Sequence, residues 1–239
     1  MKGKRIFFFI IISVLISSKL MYSNPQHLSI KKPLEIISEE VNAKEDPTNN
    51  QEVMPLESNQ KKNGLVATIS IPNTDYSSPV MQSTDNEFYL NHDEYGNKNR
   101  SGTPFLDYRI NIDTSRKLLI YGHNSRYSDM PFKVLENYYS EDFYNNHRTI
   151  RLKVNGENRN YEIFSVYTET SDWDYTKVNF KTYKEWLDHI NKLASKSIYK
   201  NDINLNEKDK ILILQTCSTK KEYKKYKKKF LLIIARKVD

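Results

Sequence analysis

The stretch DKILILQTCS, residues 209–218, decides how the rest of the chain is read. A charged pair, Asp209-Lys210, is followed by four apolar residues, Ile211 to Leu214, and then by a polar end carrying Cys217. A short unbroken apolar run with β-branched residues predicts a strand buried on both faces. Cys217 then falls at the strand's C-terminal tip, where a side chain can emerge from the core. It is the only cysteine in 239 residues, so an intramolecular disulfide and a tetrahedral thiolate zinc site are both out of reach. A lone cysteine is usually a small buried hydrophobe. The polar setting Gln215-Thr216-Cys217-Ser218-Thr219 predicts a reactive thiol instead.

Beyond this strand the composition is polar but able to build a core: 38% hydrophobic and 28% charged, with six glycines and eight prolines. Fibrous and low-complexity classes are excluded. The net charge of +7 is concentrated in residues 220–229, KKEYKKYKKK, where seven lysines face one glutamate. Such a run suits nucleic acid, anionic lipid or an anionic cell-wall polymer, or it is a solvated loop. The N-terminus makes nucleic acid the weakest of these partners. Lys2, Lys4 and Arg5 precede IFFFIIISVLI, the pattern of an export signal. Residues 1–22 are expected to remain as an uncleaved anchor with the rest of the chain outside, by the positive-inside rule. Residues 23–63 read as a polar linker with a possible helix at 33–44; fully extended it would reach ~130 Å.

From Gly64 the texture changes to strands and turns. Strands are expected at 64–71, 79–82, 103–108, 117–123, 149–155, 160–169, 209–218 and 229–238. Short helices are expected at 86–92, from Pro131 with Asp129 as its cap, and through 143–147. The clearest helix is 182–198, opened by Thr182 and Glu185 as a capping box. Tyr183, Trp186, Ile190, Leu193 and Ile198 fall near one face of it. About eight closely spaced strands with a few inserted helices predict a mostly β barrel or sandwich decorated by helices, not a βαβ fold.

A cysteine nucleophile needs a proton-transfer partner and a way to hold the oxyanion. His27 lies in the linker and His189 on the flank of a helix, and both read as structural or solvated. His92 and His147 end helices, where an imidazolium favours the dipole. His123 differs: it closes the buried run KLLIY, with Gly122 before it permitting close approach. His123 and Cys217 can meet if their strands run parallel and adjacent.

Taken together, IYGHN at 120–124 and ILQTC at 213–217 resemble the histidine and cysteine signatures of the class B sortases. The similarity extends in order through PVMQSTDNEFYLNHD (79–93), GTPFLDYR (102–109), YGHNSRYSDMPFKVLENY (121–138), the strand pair within 150–168 and the helix at 183–197. This resemblance implies a closed eight-stranded β-barrel with the helical additions of class B, over residues 64–239. It implies transpeptidation outside the membrane, with no cofactor or metal. Cys217 would attack the threonine carbonyl of a sorting signal of the Asn-Pro-x-Thr kind, and a peptidoglycan precursor amine would take the acyl group. His123 would protonate the leaving amine and deprotonate the incoming one. The resemblance also sets Asn86, Leu90, Tyr121 and Gln215 along the sorting-signal groove, although Leu90 and Tyr121 also suit a core.

One element departs from the family pattern. Sortases hold substrate carbonyls with an arginine at the entrance of the last strand, and here that entrance reads Lys227-Lys228-Lys229. Arg236 is about 23 Å further along an extended strand and cannot substitute. Lys229 is therefore expected in the arginine's role, or failing it Lys227 or Lys228, with charge but without the two-pronged fork. The crowd of lysines is also expected to favour a Cys217 thiolate. Papain-like and L,D-transpeptidase-like enzymes are poorer fits, since their residue order and cysteine surroundings are absent. A degenerate sortase-like domain that binds sorting signals or wall polymers without turnover is the alternative function.

Overall fold

The computed structural model describes residues 64–238. The expected anchor at 1–22, the linker at 23–63 and its helix at 33–44 lie outside the described residues. Among the described residues, no helix is long and apolar enough to cross a membrane. Eight strands form: β1 (Gly64–Ser70), β2 (Ser77–Gln82), β3 (Phe105–Leu106), β4 (Lys117–Tyr121), β5 (Thr149–Val154), β6 (Glu157–Glu169), β7 (Ile211–Cys217) and β8 (Phe230–Val238). They close into a barrel in the order β1-β2-β3-β4-β7-β8-β6-β5. Two α-helices, α1 (Glu141–Asn146) and α2 (Tyr183–Ser195), decorate it. The architecture is the closed, helix-bearing barrel expected.

β7 sits between β4 and β8, and Ile211 to Leu214 are fully buried. It pairs parallel with β4 from Lys117↔Ile211 to Tyr121↔Gln215. It pairs antiparallel with β8 from Ile211↔Arg236 to Cys217↔Phe230. A strand hydrogen-bonded on both edges and covered on both faces has to be apolar throughout. Each such side chain contributes about 1.5–3 kcal/mol by leaving water, so a charge within this run would not be tolerated.

Several local expectations are corrected. β5 and β6 run on to a two-residue turn, Asn155-Gly156, so 157–159 is strand and not loop. Both turn residues have positive φ, 52° and 89°, as a type I′ hairpin turn requires. β3 is only two residues long because the chain turns at Asp107, whose carbonyl accepts from Ile110 N. The expected helix at 86–92 is a single 3-10 turn, Phe88–Leu90, with the Asp85 carboxylate accepting from the Glu87 and Phe88 amides.

No helix starts at Pro131 under an Asp129 cap. A 3-10 segment, Lys133–Tyr139, begins after Phe132 with no side-chain cap. Phe132, fully buried, fixes its entry, and its N–H donates to the His123 carbonyl at 2.9 Å. α2 is capped by Thr182, whose Oγ1 accepts from Glu185 N at 3.1 Å. The Glu185 carboxylate takes the Lys181 amide, so the capping box is displaced by one residue. Ile198 lies beyond the helix and is exposed, while His189 is buried on its inner face with Trp186, Ile190 and Leu193.

Candidate active site

The site forms where β4 and β7 end together. Past their last paired residues, Gly122 N donates to Gln215 O at 3.1 Å and Thr216 Oγ1 donates to Gly122 O at 2.8 Å. Asn124 Nδ2 donates to Cys217 O at 2.9 Å. His123 is thus stitched on both sides to the chain carrying Cys217, on strands whose backbones neighbour at about 4.8 Å. Gly122 is needed for this approach: a Cβ there would lie 2.5 Å from Phe132 Cδ2.

A cleft of about 310 Å³ opens at these strand ends. It is lined by His123 and Cys217, by Asn86, Leu90, Tyr121 and Gln215, and by Phe105, Gly122, Thr216 and Phe230. Asn86, Leu90, Tyr121 and Gln215 therefore share one cavity with Cys217 and His123. Larger depressions of about 630, 500 and 460 Å³ elsewhere on the surface contain neither Cys217 nor His123.

Cys217 reaches solvent, as the strand-tip placement requires. Its thiol is not the easily ionised group expected from the lysine crowd. Burial against the barrel end pushes its pKa up, and the nearby Lys229 charge opposes this only in part. The lysines mostly spread away from the sulfur. Lys228 pairs with Asp172 at 2.5 Å, and Lys220 lies over the Tyr139 ring at 4.0 Å. Lys227 is exposed. Lys229 does not line the cleft, but its carbonyl accepts from Ser218 N at 2.8 Å, directly beyond Cys217. Arg236 pairs with Ile211 at the far end of β7, too distant to act on Cys217.

The chain after Cys217 is tightly held. Ser218 Oγ accepts from Tyr139 OH at 2.7 Å, and Thr219 donates twice to the Glu136 carboxylate, at 2.6 and 2.7 Å. Arg126 donates to the Thr219 carbonyl. These bonds fix the chain's exit from the sheet after Cys217, before the lysine run begins.

His123 Nε2 lies 2.8 Å from the Leu90 carbonyl oxygen. A carbonyl only accepts, so Nε2 carries a proton. Leu90 thus contributes its backbone as well as a half-exposed side chain. Asn86 Nδ2 and Tyr121 OH both donate to Asp107 Oδ2, at 3.0 and 2.8 Å. Gln215 Oε1 accepts from Tyr175 OH at 2.7 Å. Burial alone would raise the Asp107 carboxyl. Hydrogen bonds from Arg109 and Tyr121, with the Arg109 charge, hold it below the usual carboxylate range.

Sequence reasoning missed Asp107, Arg109, Lys117 and Tyr175. Asp107 and Arg109 stand in the quoted GTPFLDYR, and their charges inside a strand-like run were the available signal. Lys117 is buried, its ammonium touching His189 Nε2 at 2.9 Å, and burial pushes its pKa down to about 7.

Comparison with known proteins agrees with this fold. A family profile described as a sortase domain matches residues 69–238. Sortase B of Listeria monocytogenes is 35% identical over 162 residues, 67% of this chain and 65% of the relative, so the match spans slightly less than two-thirds of that protein. The X-ray structure of Clostridium perfringens sortase B is 30% identical with a TM-score of 0.66, covering 73% of this chain and 94% of that one. A Staphylococcus aureus sortase B structure is 27% identical with a TM-score of 0.65, covering 73% and 80%. With a matching closed barrel and a profile that spans most of the chain, the protein belongs to the sortase family, within class B.

Proposed function

We propose that this chain is a cell-surface cysteine transpeptidase that joins exported proteins to the cell wall. The observation that carries it is the convergence of Cys217 and His123 in one cleft at the ends of adjacent parallel strands. The substrate is a sorting signal of the Asn-Pro-x-Thr type, lying against Asn86, Leu90, Tyr121 and Gln215. In support, the S. aureus relative is a sortase B–substrate complex, and another similar structure is a sortase B complexed with Gly3.

His123 Nδ1 takes the proton of the Cys217 thiol as the sulfur attacks the threonine carbonyl. The carbon–sulfur bond forms, the peptide carbon–nitrogen bond breaks, and the imidazolium returns the proton to the departing amine. A peptidoglycan precursor amine then attacks the thioester, giving its proton to His123. The carbon–sulfur bond breaks and the sulfur recovers a proton from the imidazolium. Lys229 supplies positive charge to the substrate carbonyls, in the place of the family's arginine. Residues 1–22 anchor the enzyme and 23–63 space the catalytic domain, 64–239, from the membrane.

The test is incubation of the full chain with sorting-signal peptides and triglycine, followed by mass analysis. Cleavage after threonine with a triglycine-ligated product is expected. A peptide that binds the cleft but is never cleaved would replace this function with the binding-only alternative.

A further inference from the structure

Three of the polar side chains along the cleft, Asn86, Tyr121 and Gln215, are each committed to a partner that does not line it. Asp107, fully buried, is the partner of two. Its Oδ2 accepts from Asn86, Tyr121 and Arg109 Nη2, the last at 2.7 Å; its Oδ1 accepts from Arg109 N at 3.0 Å and Nε at 2.9 Å. These five bonds use the carboxylate's accepting capacity in full. Asn86 is held from its other side too, since its Oδ1 accepts from Tyr108 N at 3.0 Å.

The third group, Gln215, depends on Tyr175, in the segment between β6 and α2. Three successive carbonyls of that segment are gripped by two cations of the barrel. Lys117 Nζ donates to the carbonyls of Tyr175 and, at 2.9 Å, Lys177. Arg109 Nη2 donates to the carbonyl between them, that of Thr176, at 3.0 Å. Arg109 therefore holds Asp107 with a two-pronged contact while also latching the segment, which a lysine's point charge cannot reproduce.

We propose that Asp107, Arg109 and Lys117 are positioning residues that fix the polar wall of the cleft, Asp107 by orienting Asn86 and Tyr121, and the two cations by seating Tyr175 against Gln215. None of the three touches the reacting atoms. The arrangement also sets polarity: with its carbonyl taken by Tyr175, Gln215 keeps its NH2 for the peptide, a donor suited to a peptide carbonyl. This inference rests on the reading that the cleft receives a sorting signal.

The experiment compares the full-length wild type with Arg109→Gln and Arg109→Lys, which spare the buried carboxylate, and with Lys117→Met. Hydrogen exchange across residues 170–182 is measured first. It is expected to quicken in Arg109→Gln and Lys117→Met; unchanged exchange in both would overturn the latch. Kinetics with a peptide that the wild type cleaves follow. In both Arg109 variants kcat/KM is expected to fall by about 10- to 100-fold, carried mainly by KM. Alkylation of Cys217 by iodoacetamide, which needs no groove, is expected to stay within about twofold. Equal loss of alkylation and turnover, or a kcat-only loss, would overturn the positioning role. Quickened exchange in the variants beside a wild type that cleaves no peptide would uphold the latch and remove the transpeptidase function instead.

Discussion

Gly122→Ala tests whether the close approach of β4 to Phe132 is what aligns His123 with Cys217. An added Cβ would meet Phe132 Cδ2 at 2.5 Å and Cγ at 2.6 Å, where ordinary contacts begin at 3.4 Å. Relief requires about 0.9 Å of movement. Phe132 is fully buried and its amide is tied to the His123 carbonyl, so the ring cannot swing into solvent. Overpacking of this kind costs about 1–3 kcal/mol, or about 2–12 °C in Tm for a domain of this size. If the β4 end yields, His123 shifts by a similar distance, and misplacement of about 1 Å can cost about 100-fold in rate. The assays are thermal unfolding and kcat/KM for a cleaved sorting peptide, with Phe132→Leu as the second-site change that makes room. Gly122→Ala should lose far more activity than stability explains, and the double variant should recover part of it. Full activity in Gly122→Ala would refute the proposed dependence on this contact.

Lys229→Ala should lower kcat/KM by at least about tenfold. Lys228→Ala, which only frees Asp172, should change it by less than about twofold; the reverse ranking would assign the arginine's role to the wrong lysine. Thr182→Ala should lower stability by about 1 kcal/mol, read as a fall in Tm without loss of peptide cleavage at 25 °C, and an unchanged Tm would mean the cap is idle. His189 has its pKa lowered to about 2, first by burial and then by the charges of Lys117, Lys177 and Lys192. Its unfolded form takes a proton below about pH 6.5 and its folded form does not, so stability falls as pH drops from 6.5 by up to about 1.4 kcal/mol per unit. Urea unfolding between pH 5 and 6.5 should show this slope in the wild type and not in His189→Gln; equal slopes would contradict it.

The parts of the fold that could be read from sequence were those set by a single local pattern. Ile211 to Leu214 are apolar because β7 is covered on every side, and Thr182 announces α2 because a helix start leaves amides to satisfy. Cys217 and His123 stood out because each ends such a run in polar company. The residues that were missed depend on partners distant along the chain. Lys117 opens the expected strand at 117–123, yet its three contacts come from residues 58 to 72 positions away. Asp107 falls inside the expected strand at 103–108, but its carbonyl accepts from Ile110 N at the turn that ends β3, and its carboxylate is taken by Asn86 and Tyr121 from elsewhere in the chain. The raised Cys217 thiol was hidden for the same reason: seven lysines nearby in sequence leave only Lys229 acting on the sulfur.

Mass spectrometry of a single turnover, with the modified residue located by fragmentation, bears on the Cys217–His123 pairing without intermediaries. An acyl group on Cys217 should form with a cognate peptide, disappear when triglycine is added, and be absent in Cys217→Ala. In His123→Ala it should form at least about 100-fold more slowly. An adduct on another residue, or one formed as fast without His123, would contradict the paired chemistry.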